Sequence, residues 1–290
     1  MTKKERERAE ELKKLEKAFG RKEYLKSKTV PAYPMSAERE YRRKLRVMLG
    51  AVGLVLYDLL KGMQGGQIDK KKSVAAAKKI RDSIKDKELK AEIQKTADTV
   101  IKLGVKEATR STTKTLGVPV KVPVMYLNNS ATEWGERAYQ SVKDYLNTIG
   151  GRVENSFTEA QIKAILKTLK KGPQKISRLS VTDLNGNVSE LIQSYLGCDR
   201  YMWVTAKDDR VRPCHASFDG KIFKWDSPPE IWQMSGGRRV YTGRHCHPGQ
   251  DYNCRCVALS VYNKKAILVL LKHAEGEDGE ITSRKNRSAS

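Results

Sequence analysis

The sequence predicts an α+β protein, with a predominantly helical N-terminal region followed by a compact mixed C-terminal domain of short strands. Three observations carry this. Apolar residues recur near a helical period as far as about residue 170. From Tyr201 onward the texture shortens into strand-like runs between turn-rich polar loops. Trp203, Trp225 and Trp232, three of the four tryptophans, lie beyond position 200, which places the best-packed domain at the C-terminal end. The expected organisation is a basic helical arm over 1–30, a helical region over 31–170, a C-terminal α+β domain over 171–272 and a disordered tail over 273–290.

The arm mixes Lys, Arg and Glu around a thin stripe of Leu12, Leu15, Ala18, Phe19 and Leu25, the pattern of an exposed helix that finds its partner elsewhere. Pro31 and Pro34 break it. Ser36 with Arg39-Glu40 reads as a fresh helix start that runs through the apolar stretch Val47 to Leu60 and stops at Gly65-Gly66. Residues 70–115 read as one or two further helices. Gly117, Pro119 and Pro123 then make an extended connector. Trp134 to Ile149 is amphipathic, and Thr158 with Gln161 forms a capping box ahead of Ile162, Ile165, Leu166 and Leu169. Strands are expected around Tyr201–Val204, Gly220–Trp225 and Cys256–Val261. Asp219-Gly220 reads as a tight hairpin turn, Pro228-Pro229 as an extended exit, and Gly236-Gly237-Arg238-Arg239 as a flexible basic loop.

The chain of 290 residues carries 57 Lys and Arg against 34 Asp and Glu, a formal charge of +23. So basic a surface condenses onto polyanions by counterion release, which makes nucleic acid a natural partner; a solvated basic surface or an acidic protein partner are the alternatives. Arg238 and Arg239, with Arg42, Arg43 and Lys44, are the candidate contacts. Five cysteines are too few for a secreted disulfide scaffold, and the charged start from Lys3 is not a signal peptide. The apolar run interrupted by Asp58 is too short for a bilayer. The expectation is a cytoplasmic, reduced protein without a membrane partner.

Two segments, 208–215 and 245–256, hold nearly all the plausible ligands. Thiolates and imidazoles gathered on two loops are what tetrahedral zinc needs. The expected set is His215, His247, Cys254 and Cys256, with Cys214 and Cys246 as substitutes. Cys254 and Cys256, one residue apart, face the same side of an extended chain. A metal-free reading stands beside this one: the loops tied by side-chain hydrogen bonds, with cysteine as a small buried apolar group. No nucleophile with an identifiable base, phosphate-cradling glycine loop or acid pair is present, so no catalytic residue is assigned. The enzymatic alternative is a metal-dependent nuclease built on His215, His245, His247 and Asp209.

The ordered run of Trp203-Val204-Thr205, Asp209-Arg210-Val211-Arg212, His215, Phe218-Asp219-Gly220-Lys221, Pro228-Pro229, His247-Pro248-Gly249 and Asn253-Cys254-Arg255-Cys256 resembles the C-terminal signature of the Mu F-like phage head morphogenesis family. Thr182-Asp183 with Asn187 is similar to an upstream stretch of that family, with Asp in place of Glu. The resemblance makes Trp203, Asp209, Arg210, Arg212, Asp219, Gly220, Pro248, Asn253 and Arg255 motif residues. Some members carry Cys-x-x-Cys where this chain has Arg212-Pro213-Cys214-His215, so one ligand of their site is missing and His215, His247 and Cys254 remain as the aligned core. The family implies a minor head protein in few copies inside the procapsid, made in the host cytoplasm. It further implies association with the portal and with capsid or scaffolding proteins, and a role in packaging or delivering phage double-stranded DNA. Relatives fused to effectors suggest a toxin-like transferase, for which this chain lacks the acidic catalytic residue.

Overall fold

A computed structural model describes residues 2–63, 65–120, 122–252 and 254–273; the expected tail beyond 273, and Asn253, lie outside them. Helix α1 (Lys3–Phe19) starts on a capping box of Thr2 and Glu5, then β1 (Tyr24–Lys26) leads to α2 (Met35–Lys61). Next come α3 (Lys70–Arg81), capped by Asp69, α4 (Asp86–Leu116), closed by left-handed Gly117, and α5 (Met125–Glu154). Helix α6 (Glu159–Tyr195) opens on the expected Thr158–Gln161 box and passes through Gly172-Pro173 without ending. The remaining elements are β2 (Arg200–Val204), α7 (Pro213–Phe218), β3 (Ile222–Lys224), β4 (Glu230–Ser235), β5 (Arg238–His245), β6 (Val257–Asn263) and α8 (Lys264–His273).

Helices α2 to α6 pack on one another around one continuous apolar core that includes Tyr41, Leu45, Leu56, Trp134 and Leu146. The stripe of α1 has its partner in α4, with Leu15 and Phe19 buried. A smaller second core gathers Tyr201, Trp203, Phe218, Ile231 and Trp232 around Cys214, Cys254 and Cys256. The larger core is therefore helical, which corrects the expectation that the C-terminal part packs best. Tryptophan count misleads because Leu, Ile, Val and Ala at helical spacing fill most of the long interhelical seams, with few aromatic residues.

An antiparallel sheet in the order β1-β6-β2-β3 joins the two cores. Its strand β6 is buried along nearly its whole length: Tyr262 packs in the helical core and Ala258 in the small one. The N-terminal arm enters this sheet, since Tyr24 to Lys26 pair with Asn263 to Val261. Beyond the strand, the Ser27 N–H donates to the Ser260 carbonyl (2.9 Å), and a buried hydroxyl chain runs Ser27–Ser111–Tyr262. Position 170 falls inside α6, so the helical region and the C-terminal part share that helix.

Two turns differ from expectation. Asp219-Gly220 joins α7 to β3, so it links a helix to a strand and not two strands. Gly236 and Gly237, at φ 56 and 76°, form the two-residue turn of the β4–β5 hairpin, with Ser235 paired to Arg238. The expected flexible loop is therefore a hairpin tip.

Candidate metal centre

Three elements converge on the small core. Pro213 at the first position of α7 pre-sets the helix, whose first turn buries His215 against the Trp203 ring, 5.3 Å away. Cys254 and Cys256 lie on the extended approach to β6 and point the same way, as their spacing predicts. Their Sγ atoms lie 3.6 and 3.7 Å from His215 Nδ1. In a tetrahedral zinc site, Zn–S of ~2.3 Å and Zn–N of ~2.0–2.1 Å put N and S roughly 3.6 Å apart. All three donor atoms lie within 4.8 Å of one another and all three residues are buried, so the set fits three corners of such a site.

Behind the imidazole, His215 Nε2 meets Asp251 Oδ2 at 3.1 Å. A carboxylate there holds the ring so that Nδ1 is presented as a ligand. Asp251 also receives Arg244 Nη1 (3.0 Å), the Tyr252 N–H and Arg212. Burial works against its charge, but these donors hold the carboxyl well below the usual range. Burial likewise pushes His215 down, and its bonds to Asp251 and Cys254 outweigh this and raise it to about 9. The Cys256 thiol donating to Cys254 outweighs burial and lowers the Cys254 pKa, and the same bond keeps the Cys256 proton in place. The metal-free cluster thus stores protons that a bound cation would displace.

His247, expected as a fourth ligand, stands elsewhere. Its Nδ1 is 3.0 Å from the Tyr201 hydroxyl and its ring lies 4.7 Å from Trp225, where burial lowers its pKa and favours the neutral form. Cys214 Sγ accepts the Trp232 N–H, and exposed His245 meets the Pro228 carbonyl. Among the described residues, His215, Cys254 and Cys256 form the only such cluster, so His215, His245, His247 and Asp209 are not brought together around one ion. Arg212, at a Cys position of some Mu F-like members, bonds Asp251 and the Tyr252 carbonyl.

The other motif residues are structural ties. Asp219 accepts from the Thr205 N–H and hydroxyl (both 2.9 Å) and pairs with Lys207. Left-handed Gly220 (φ 75°) donates its N–H to the Trp203 carbonyl. Asp208, not the exposed Asp209 singled out from sequence, binds Arg255 and Arg210. Next to Pro248, Gly249 presses on α6, where a Cβ would lie 3.3 Å from the Thr182 carbonyl. Thr182 itself reaches the Tyr33 hydroxyl at 3.2 Å, and Asp183 pairs with Arg137.

The candidate nucleic-acid residues divide. On α2, Arg42, Arg43 and Lys44 face Glu38, Glu40 and Glu92. Arg238 and Arg239 sit exposed at the hairpin tip without a carboxylate partner among the described residues, Arg239 stacking over Trp232 at 4.5 Å. No helix among the described residues is long and apolar enough to cross a membrane.

Residues 156–259, from the cap of α6 into β6, match the family described as Phage Mu protein F like protein. The chain is also 34% identical over 115 residues to an uncharacterized protein of Haemophilus influenzae, a match that covers 40% of this chain and 23% of that protein. No solved structure matches.

Proposed function

We propose, from the match of residues 156–259 to the family described as Phage Mu protein F like protein, that the chain is a phage minor head protein that acts inside the procapsid as a portal-docking and DNA-contacting assembly component. The observation that supports docking is the uncovered face of α2. Val47, Leu54 and Tyr57 are 69, 67 and 50% exposed, on the side opposite the buried Leu45, Leu49, Val52 and Leu56. Leu54 and Tyr57 line a groove of about 490 Å³ between α2 and α6, floored by Gly50, Gly53, Leu166 and Pro173 and bordered by Arg46 and Lys170. Cationic borders and a charge of +23 disfavour a second copy and favour an acidic partner surface with apolar knobs, which we assign to the portal.

In this reading the role is mechanical, not enzymatic. His215, Cys254 and Cys256 would hold a zinc ion at three corners, tying α7 to the approach to β6 with Asp251 orienting the imidazole and the fourth corner taken by a ligand outside this set. The ion would supply cross-linking of loops in a core too small to hold them by burial alone. Elemental analysis of protein purified without chelator should find equimolar zinc, and Cys254→Ser should lose it together with thermal stability. Metal-free protein of unchanged stability counts against the zinc.

Co-expression with the portal protein tests the docking. The full chain should co-purify with portal–procapsid complexes, and Leu54→Glu with Tyr57→Glu should abolish this while leaving the helical circular dichroism intact. Retention of the double variant would remove the α2 face from the interface. Absence of the protein from purified heads would remove the head role itself.

A further inference from the structure

A cavity of about 180 Å³ opens beside His215, Cys254 and Cys256, and its lining carries four arginines and no carboxylate. The guanidinium groups of Arg178, Arg210, Arg212 and Arg255 come from α6, the 208–212 loop and the approach to β6. No carboxylate lines the cavity, and those behind it are shared. Asp208 serves both Arg210 and Arg255, and Asp251 serves Arg212, Arg244 and His215. Glu38 lies 3.8 Å from both Arg42 and Arg178. Positive charge therefore exceeds its compensation around one recess.

Arg178 is also weakly committed: its Nε has no hydrogen-bond partner among the described residues, and the Glu38 carboxylate, 3.8 Å away, is too far for a bond. Its charge is therefore poorly compensated beside the cavity. Guanidinium forks match tetrahedral oxyanions with paired N–H donors, and a phosphate carries enough charge to balance two of them.

The geometry points to this cavity as a binding site for one phosphate group, held by Arg178, Arg210, Arg212 and Arg255. The inference stands independently of the head-protein reading and of the zinc. Its ligand is either free inorganic phosphate or a phosphate of the DNA backbone, and the two sources share the same chemistry.

The test is calorimetric titration of the full chain with inorganic phosphate at low ionic strength, with and without chelator. Saturable binding is expected. Arg178→Lys keeps the charge beside Glu38 but removes the fork and the Nε donor; Arg210→Gln alters only an exposed ion pair. Each should weaken binding about tenfold, the scale of one charge-assisted hydrogen bond. If Arg178→Lys does not fold, Arg210→Gln alone decides. A short duplex that displaces phosphate identifies the backbone as the source, and a duplex that does not identifies the free ion. The site is overturned by absence of saturable binding to the native chain. It is equally overturned by variants that bind as tightly as the native chain, or by binding that chelator removes and the arginine variants leave unchanged, because the phosphate would then be a metal ligand.

Discussion

Two carboxyl groups in the C-terminal part have their charges treated in opposite ways. Asp251, with a side chain 1% exposed, is held in its ionised form by His215, Arg212 and Arg244. Its folded pKa lies below the unfolded one, so its contribution to stability is complete above about pH 4 and is lost as the pH falls toward the depressed value. Asp251→Asn leaves two guanidinium groups and an imidazole without their counter-charge. In chelator at neutral pH it should cost about 3 kcal/mol, the scale of breaking a buried ion pair. Urea unfolding at a series of pH values should show the penalty shrinking below about pH 4; a pH-independent penalty would mean that the carboxylate acts through packing. Glu190 is the converse, raised because it is largely buried. Its folded pKa lies above the unfolded one, so stability is full below the unfolded value and declines as the pH rises through the folded one. Glu190→Gln should raise the thermal midpoint at neutral pH and leave it unchanged near pH 4, close to the unfolded pKa of a glutamate. An equal gain at both pH values would defeat that account.

Elements are fixed partly by local chemistry and partly by contacts distant in sequence, and the two behave differently under substitution. Gly197 ends the turn after α6 at φ 68°, and a Cβ there would lie 2.3 Å from Ala266 Cβ on α8. Gly197→Ala therefore adds a clash to backbone strain and should cost more than about 2 kcal/mol in urea unfolding. Gly220→Ala, at φ 75° but in open space, should cost only the left-handed strain of about 1 kcal/mol. Equal penalties would show that Ala266 yields freely. The same division decides what the sequence could disclose. The Thr158–Gln161 box is local, and it placed the start of α6 correctly. The continuation through Pro173 was hidden because proline normally ends a helix, whereas here Gly172 and Pro173 are buried within α6. Strand β1 is three residues whose partner lies more than 230 positions away, and no local pattern encodes that pairing. The β4–β5 hairpin is exposed along β5, so it lacks the apolar alternation that would have marked its strands.

Across the whole molecule the candidate site was legible as chemistry but not as geometry. Residue type and the one-residue spacing singled out Cys254 and Cys256, yet only the fold separates His215, which joins them, from His247, which turns to Tyr201. Asp251 was missed because nothing in the sequence says which polar residue of a loop faces inward, and Tyr201, on β2, because strand periodicity does not say which side chain its hydroxyl meets. Charge has the same limit. The excess of 57 basic over 34 acidic residues is visible at once, but which cations remain free is decided by pairing. Arg43 is committed to Glu40 at 2.6 Å, whereas Arg238 and Arg239 project from the hairpin tip with no carboxylate partner among the described residues. If the proposed contact with DNA is made there, binding should be insensitive to sequence and should fall linearly in log–log form with salt. Replacing Arg238 and Arg239 by Gln should flatten that slope by about 1.8, since each phosphate contact contributes about 0.9. Arg43→Gln should leave the slope unaltered, because its charge is already compensated. Fluorescence anisotropy on an unrelated duplex, titrated from low to moderate salt, reads both. A hairpin variant with the native slope would move the DNA contact to another face, and an Arg43 variant with a flatter slope would show that the α2 ion pair opens to admit phosphate.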